Sequence, residues 1–246
     1  MSSTAPRKPG AADSDAPAGR VRLQPRARAT RQAILSAAAA HFARYGYRAT
    51  SLDRVLADSG GTKGALYFHF ASKEILARAV IAEMVQQWGN LRVHVSARGL
   101  DPLSALLALV DEVIARLIDS PIARGGTRLL NDLPMNPEDV RRHFTFGESD
   151  ALALLTQAAH ANLLREGIKP ASVARQVVAL LVGHRQICDA LDDRQCLWQR
   201  VDEAWDLLLP AISTDAWLAE WRASPWASRP RPRPEEEEGR LSDRPG

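Results

Sequence analysis

The sequence of 246 residues predicts an all-α protein. Apolar residues recur every three to four positions over most of the chain, which is typical of helices that bury one face. Runs in which apolar and polar residues alternate, the pattern of half-buried strands, are essentially absent. Prolines fall where one helical pattern gives way to the next, because proline is tolerated in a first turn but not inside a helix. These prolines are Pro102, Pro121, Pro134, Pro137 and Pro170.

Three helices are predicted in the first third of the chain, with bounds of about 28–45, Leu52–Asp58 and Lys63–His69. The first should stop near Gly46. We expect Thr50 to cap the second helix, with Asp53 three residues later as its capping-box partner. Gly60 and the glycine after it break this helix, and Thr62 caps the third.

A long fourth helix is predicted from Lys73 to about Val95, with Ser72 as its cap. Its core stripe includes Leu76, Val80, Met84 and Trp88. Further helices are predicted at about 102–119, 121–132, 148–166, 171–191, 195–211 and 214–223. Cys188 and Cys196 lie eight residues apart and predict neither a metal site nor a disulfide framework, which favours a reducing compartment.

Composition and charge narrow the class of protein. Apolar residues make up 46% of the chain and charged residues 25%, as in folded soluble proteins. No apolar run approaches the roughly 18 residues of a membrane span, and the N-terminus lacks the apolar stretch of a secretory signal. We therefore expect a cytoplasmic protein with no membrane partner.

Positive charge is concentrated at the start of the chain. Residues 1–75 contain 12 Lys/Arg and 5 Asp/Glu, whereas residues 76–246 contain 20 and 24. A basic head suggests binding to a polyanion, and an uneven solvated surface is the alternative. The Pro-rich segments 1–25 and 226–246 should be disordered. Basic side chains of the first segment either touch DNA phosphates or serve solubility alone.

The second and third predicted helices fit a helix-turn-helix, whose second helix enters the major groove of DNA. Thr62 caps that helix and can donate to a phosphate, and Lys63 is long enough to reach guanine O6 and N7. Gly64 is a poor helix former, so its presence suggests that the backbone approaches DNA closely. Tyr67 lies on the same face and offers a hydroxyl to phosphate.

Other side chains of this segment have structural or flanking roles. We expect Leu66, Phe68 and Phe70 in the core, because so short a helix needs apolar contacts to hold it. His69 and Lys73 lie where the chain turns away and are expected to contact the flanking DNA backbone. A buried capping histidine is the alternative for His69, and packing alone is the alternative for the tyrosine.

Three stretches resemble the signature of the tetracycline-repressor-like (TetR) family: Thr50-Ser51-Leu52, GTKGALYFHF at 61–70, and Ser72-Lys73-Glu74. The resemblance covers about residues 28–75. It implies a homodimer with an N-terminal three-helix domain that binds double-stranded operator DNA and a larger helical domain for ligand binding and dimerisation. The DNA contacts it implies are Thr50, Ser51, Thr62, Lys63, Gly64, Tyr67, His69 and Lys73. With the two Pro-rich segments, the predicted domains are a disordered basic arm (1–25), a helix-turn-helix domain (26–74), a ligand-binding and dimerisation domain (75–225) and a disordered tail (226–246).

The run KGALYFHF and Trp88 are similar to the γ-butyrolactone receptor branch of that family. This implies a repressor of antibiotic biosynthesis that leaves a palindromic operator when a small autoregulator of butyrolactone, butenolide or furan type binds. The branch usually places a tryptophan over the ligand, but residues 143–148 contain none. Either Phe144 or Phe146 supplies the aromatic wall, or the protein is a pseudo-receptor that answers to a pathway product or to no ligand. Candidate pocket residues are Trp88, Arg128, Asn131, Phe144, Phe146 and Gln157.

The alternatives for these residues are structural. Trp88 also suits a core position, and Arg128 also suits an ion pair within the chain. Trp198, Trp205 and Leu209 lie on one helical face, which fits either a dimer interface or the core.

An enzyme is a competing class of protein. The six histidines show no metal-ligand spacing, and no P-loop or dinucleotide fingerprint is present. We therefore expect no catalytic residue, no metal and no cofactor. A ligand-blind DNA-binding or architectural protein is the third class.

Overall fold

The computed structural model describes residues 25–132, 137–191 and 195–224, and most of these residues are helical. Within them, β-structure is limited to a single bridge between Leu164 and Ser213. The helices are α1 (Pro25–Ala49), α2 (Leu52–Ser59), α3 (Lys63–His69), α4 (Lys73–Ser96), α5 (Pro102–Asp119), α6 (Pro121–Asp132), α7 (Pro137–His160), α8 (Pro170–Ala190), α9 (Cys196–Ile212) and α10 (Asp215–Ala223). The all-α prediction is confirmed. None of these helices carries an apolar stretch long enough to cross a membrane. The predicted arm (up to residue 24) and the predicted tail lie outside the described residues.

Local signals in the sequence place most helix ends correctly. The predicted bounds of α3, α5 and α6 are those observed, and Thr62 caps α3 by accepting a hydrogen bond from the Ala65 N–H at 3.2 Å. The prediction for α7 is wrong, since the helix covers Pro137–His160 rather than 148–166. The chain leaves that helix through Asn162, whose φ of 56° lies in the left-handed region.

The start of α2 also differs from the prediction. Its N-cap is Ser51 rather than Thr50, and the Ser51 side chain makes no capping hydrogen bond. The Thr50 hydroxyl instead donates to the carbonyl oxygen of Gly46 at 2.7 Å, because α1 continues past a kink at Gly46 to Ala49. The predicted capping box of Thr50 and Asp53 is therefore wrong.

Buried side chains form two large clusters. The first joins α1–α4 with α6 and contains Phe42, Leu66 and Met84. The second joins α5 with α7–α10 and contains Leu106 and Trp205. The Trp88 side chain, in α4, is partly buried and packs against both clusters, so α4 connects them.

Two glycines allow α6 to lie directly against α1 and α4. A Cβ at Gly125 would lie 2.5 Å from the backbone oxygen of Ala39, and one at Gly126 would lie 2.6 Å from the sulfur of Met84. The packing of α6 therefore crosses the boundary predicted at residue 75. The predicted division into a helix-turn-helix domain up to residue 74 and a second domain from residue 75 stays a prediction.

The paired helices α8 and α9 hold the aromatic face noted in the sequence. Trp198, Trp205 and Leu209 are buried within the chain, so they belong to the core of the second cluster. Cys188, near the end of α8, forms a disulfide with Cys196, the first residue of α9, and their Cα atoms are 6.1 Å apart. The prediction that these cysteines form no disulfide is wrong, because the two helix ends meet across a short connection.

Candidate nucleic-acid interface and ligand cavity

The turn between α2 and α3 has a backbone suited to a tight helix-turn-helix. Gly60 adopts a φ of 63°, in the left-handed region that favours glycine. The Ser59 hydroxyl oxygen accepts a hydrogen bond from the Gly61 N–H at 3.3 Å. Val55 and Leu66 are fully buried, so each helix of the pair is anchored by its inner side.

The side of α3 that points away from the core follows from the position of Leu66. Successive residues of an α-helix are rotated by about 100°, so residues two positions before and after Leu66 point outwards. These are Gly64 and Phe68, and Tyr67 and then Lys63 follow on one side of them around the helix. We call these four exposed residues the α3 outer face. The expected exposure of Lys63 and Tyr67 is found, with Tyr67 48% exposed.

The position of Phe68 corrects a prediction. Leu66 and Phe70 are buried as expected, but the Phe68 side chain is 77% exposed. The reason is the helical repeat: Phe68 lies two residues from Leu66 and therefore on the opposite side of α3. Its ring has an edge-on contact with His69, with 5.1 Å between the ring centroids.

The predicted flanking contacts have different surroundings. Thr62 is exposed and His69 is half-buried. The ammonium of Lys73 donates to the carbonyl oxygen of Arg48 at 3.1 Å and lies 4.9 Å from the centroid of the Tyr47 ring. Burial lowers the pKa of the Lys73 ammonium. Lys73 thus ties the start of α4 to the end of α1.

Thr50 and Ser51 are not equivalent. Thr50 is buried and its hydroxyl is bonded to the backbone of α1, so the expected contact of this side chain with a phosphate is not retained. Ser51 is half-buried at the N-terminus of α2. Of this pair, Ser51 alone stays a candidate for a phosphate contact.

Basic residues predominate in the segment that forms α1, α2, α3 and the start of α4. Residues 25–75 contain eight Lys/Arg and three Asp/Glu. The exposed members include Arg28, Arg48, Arg54 and Lys63. A net positive surface of this kind attracts the phosphates of nucleic acid.

A cavity of about 160 Å³ lies among α4, α5, α6, α7 and α8. Most of its wall is apolar, including Trp88, Leu106, Val113, Phe144, Val178 and Leu181. Three polar side chains also line it: Thr127, Asp150 and Arg185. An apolar wall with a few polar groups is typical of sites for small molecules.

The polar groups of the cavity are held by partners within the chain. Asp150 is buried and accepts a hydrogen bond of 3.1 Å from the Arg92 guanidinium. Burial raises the pKa of the Asp150 carboxyl, and the neighbouring Arg92 opposes that shift. Arg185 is paired with Asp189 at 2.7 Å. The cavity therefore offers a ligand a carboxylate acceptor, a guanidinium donor and the Thr127 hydroxyl.

Two of the six predicted pocket residues line this cavity, namely Trp88 and Phe144. Arg128 and Asn131 line a polar cleft among α1, α5, α6 and α8, which adjoins the cavity and shares Leu117, Thr127 and Arg185 with it. The Gln157 side chain is exposed and lines neither space. Phe146 belongs to α7, but its side chain is outside the described part of the structure.

The polar residues of the cavity were missed by the sequence analysis. Asp150 lies four residues before Leu154 and eight before Ala158, on an otherwise apolar stripe of α7. A carboxylate on such a stripe was the available signal. The positions of Thr127 and Arg185 in the sequence gave no such signal, since both residue types are common on partly exposed helices.

Comparisons with known proteins agree with this architecture. Residues 34–80 match the family described as "Bacterial regulatory proteins, tetR family". The chain is 32% identical to the A-factor receptor protein of Streptomyces griseus over 197 residues, which is 77% of this chain and 66% of that protein. It is 32% identical to the HTH-type transcriptional regulator AcrR of Shigella flexneri over 108 residues, which is 44% of this chain and 48% of AcrR. The matched stretches thus span about two thirds and about half of these two relatives.

Solved structures are similar over most of their length. A gamma-butyrolactone receptor (ArpA-like protein) has a TM-score of 0.67 and 31% identity, covering 79% of this chain and 94% of that one. The TetR family protein CprB from Streptomyces coelicolor, in complex with its operator sequence, has a TM-score of 0.68 and 32% identity, covering 80% and 94%.

Proposed function

The chain belongs to the TetR family of bacterial regulatory proteins, and from this premise we propose that it is a ligand-responsive repressor. As a homodimer it would bind a palindromic DNA operator and leave it when a small molecule enters the cavity. The observation that carries the DNA-binding part is that α3 buries Leu66 against the core while Lys63 and Tyr67, on other sides of the same helix, are exposed. The enzyme class is set aside, because the relatives are transcriptional regulators.

Lys63 is the proposed base contact. Its side chain stands exposed at the first turn of α3, where an ammonium can reach guanine O6 and N7 in the major groove. Replacing Lys63 by Ala should weaken operator binding by about 1–3 kcal/mol and blur the choice of one base per half-site. Lys169→Ala, at an exposed position before α8, is the matched control. Unchanged affinity and selectivity of Lys63→Ala would contradict the assignment.

The remaining proposed contacts are to the DNA backbone. Thr62 and Tyr67 would donate hydroxyl hydrogens to phosphates, and Ser51 and His69 lie where the helix-turn-helix meets the flanking strand. Lys73 would contact the same strand with the ammonium hydrogens that the Arg48 carbonyl does not use. Contacts of this kind fix the orientation of the protein on DNA, so their loss should weaken binding to all sequences about equally.

An exposed face of α8 and α9 suits the second copy of the chain. Leu180, His184 and Ile187 recur at helical spacing on α8, and Ala204 and Leu207 do so on α9. Leu207 is 80% exposed and Ile187 is 44% exposed, so this face is open in one copy of the chain. A dimer provides two copies of α3, the proposed recognition helix, about 34–36 Å apart, which is the spacing that two half-sites of DNA require.

The proposed dimer is tested by introducing a charged side chain at the centre of its interface. Leu207→Asp should give a monomer in light scattering, because it would bury an unpaired carboxylate. Leu152→Asp, at an exposed position on α7, is the control that should leave the mass unchanged. A Leu207→Asp chain of unchanged mass would place the interface elsewhere.

The cavity is the proposed ligand site. Its apolar wall suits an aliphatic chain, and Asp150 and Arg185 suit hydroxyl and carbonyl oxygens of a head group. Butyrolactone, butenolide or furan autoregulators have this chemistry. From these features and the relatives we propose such a molecule as the ligand, with control of antibiotic or other secondary-metabolite genes as the outcome.

One turn of α6 links the cavity to the DNA-binding helices. Thr127 lines the cavity, and the next residue, Arg128, is hydrogen-bonded to the backbone of α1. Trp88 lines it from α4, which continues from the helix-turn-helix. A ligand that moves these helices would change the separation of the recognition helices, with a typical coupling of about 1–3 kcal/mol.

The ligand is tested by thermal shift and operator release together. A panel of lactones, butenolides, furans and the product of the neighbouring gene cluster would be screened for stabilisation and then for loss of operator binding. Stabilisation and release by one compound support the receptor. Response to the pathway product alone would make the protein a pseudo-receptor, and silence across the panel would favour a ligand-blind regulator.

A further inference from the structure

Phe68 exposes an apolar ring that folding does not use. Among the large apolar side chains of the described residues, only Leu207 is more exposed. The ring meets His69 edge-on at 5.1 Å and is otherwise open to solvent at 77% exposure. Burying such a ring in a complex would remove apolar surface from water, which is favourable.

The ring lies at the centre of the surface offered to DNA. Gly64 precedes Phe68 by one helical turn, and a Cβ added to Gly64 would meet no atom within 4 Å. Helical side chains lean towards the N-terminus, so the space beside Gly64 is open to the Phe68 ring. Tyr67 lies next to this pair on one side of α3, with Lys63 beyond it. A duplex seated against Tyr67 and the open backbone at Gly64 therefore also covers Phe68.

Base chemistry identifies what an apolar ring can recognise there. In the major groove, adenine, guanine and cytosine present hydrogen-bonding groups, whereas thymine also presents its C5-methyl group. A phenyl ring has no hydrogen-bond donor or acceptor in its plane and gains only from apolar contact. We propose that Phe68 reads the C5-methyl of a thymine in each operator half-site. This inference rests on the proposed DNA-binding function and adds a specificity-determining residue to it.

The test removes the C5-methyl group of one thymine at a time and changes nothing else in the duplex. The full chain would first select its own duplex from a randomised library. Each thymine of the selected half-site is then changed in turn to deoxyuridine, which keeps base pairing and lacks the methyl. We expect one position at which the change weakens binding of the unmodified protein roughly fourfold, about the effect of one buried carbon. Phe68→Ala should bind the two duplexes equally.

Controls separate this role from folding and from general DNA affinity. Val93→Ala removes an apolar side chain that is 66% exposed on α4 and should keep the full preference for thymine. Phe68→Ala should melt like the parent chain, because the ring makes little contact with the core. It should also keep the salt dependence of binding, since no charge is changed.

The outcomes distinguish this inference from the proposed function. If the chain selects no duplex, the proposed function fails and this inference fails with it. If the chain binds but deoxyuridine is tolerated everywhere, or if Phe68→Ala keeps the thymine preference, only the role of Phe68 is overturned. A change of oligomeric mass in Phe68→Ala with unaltered DNA binding would overturn it too, and would assign the ring to a protein contact.

Discussion

Arg128 in α6 donates a hydrogen bond of 3.1 Å to the backbone carbonyl oxygen of Ala43 in α1. The same guanidinium reaches the carbonyl of Arg44 at 3.3 Å and lies 3.7 Å from the carboxylate of Asp132. Asp132 in turn accepts a hydrogen bond of 2.9 Å from the Tyr47 N–H. One turn of α6 thus holds both sides of the kink near the end of α1, in place of the ligand contact predicted for Arg128.

Replacing Arg128 by Ala should loosen this attachment. The carbonyl oxygens of α1 would lose a charged donor, and water would replace it only in part, so we expect a loss of about 1–2 kcal/mol in the free energy of unfolding. Urea denaturation measures the loss. Arg98→Ala, at an exposed position after α4, is the control and should change little. Equal midpoints for the two variants would show that the attachment contributes nothing to stability.

Gly46 is the second part of this attachment. Its φ of 75° and ψ of 176° lie in a region essentially restricted to glycine, and a Cβ there would lie 2.5 Å from Oδ2 of Asp132. Gly46→Ala should therefore lower the free energy of unfolding by about 3 kcal/mol. Gly60→Ala is the matched comparison, because Gly60 has a φ of 63° but open space around it. Its smaller loss, about 1–2 kcal/mol, would reflect a left-handed backbone conformation that costs a side chain less than the conformation of Gly46.

Asp150 makes stability depend on pH. Because burial raises its pKa in the folded chain, the folded state keeps a proton that the unfolded state has already lost as the pH rises. The free energy of unfolding should therefore fall as the pH rises from the ordinary aspartate pKa of 3.8 to the raised value, and then level off. Asp150→Asn, which cannot ionise, should lack this fall. Urea midpoints between about pH 4 and pH 7 measure it.

The exposed Asp206 supplies the control for that series. Asp206→Asn should keep the pH profile of the parent chain. A profile for Asp150→Asn parallel to that of the parent would mean that Arg92 offsets the effect of burial on the carboxyl completely.

Local chemistry explains which parts of the fold the sequence could predict. The bounds of α3 follow from a capping threonine and a seven-residue pattern, both of which act within one or two turns. The prediction that Thr50 caps α2 was wrong because its hydroxyl can bond either to the start of α2 or to the end of α1. Which of the two it bonds to depended on how far α1 extends. The start of α7 was missed, although its first residue is Pro137, a residue type that is favoured in a first turn.

The candidate site depended more on contacts distant in sequence. The backbone partners of Arg128 are 84 and 85 residues away, so periodicity could not distinguish a backbone attachment from a ligand contact. The pairing of Cys188 with Cys196 required knowing that α8 and α9 lie side by side. Phe68, by contrast, was predictable: its two-residue offset from Leu66 on a helix already places it on the outer side.

Gly64 offers a test in which stability and DNA binding should move in opposite directions. Its backbone is helical and a Cβ has open space, so Gly64→Ala should raise the free energy of unfolding by about 0.5–1 kcal/mol. The added methyl would stand between α3 and the groove, and we expect operator affinity to fall at least roughly tenfold, or about 1.4 kcal/mol. Thermal melting and fluorescence anisotropy on the same sample measure the two effects.

Gly89→Ala is the matched control for Gly64→Ala, since this glycine lies in α4, away from α3, and an added methyl would meet no atom within 4 Å. It should gain similar stability and bind the operator like the parent chain. If Gly64→Ala were both more stable and equally tight on DNA, the backbone of α3 would not approach the duplex closely. The α3 outer face would then contact DNA through its long side chains alone, and the absence of a side chain at Gly64 would have no role in recognition.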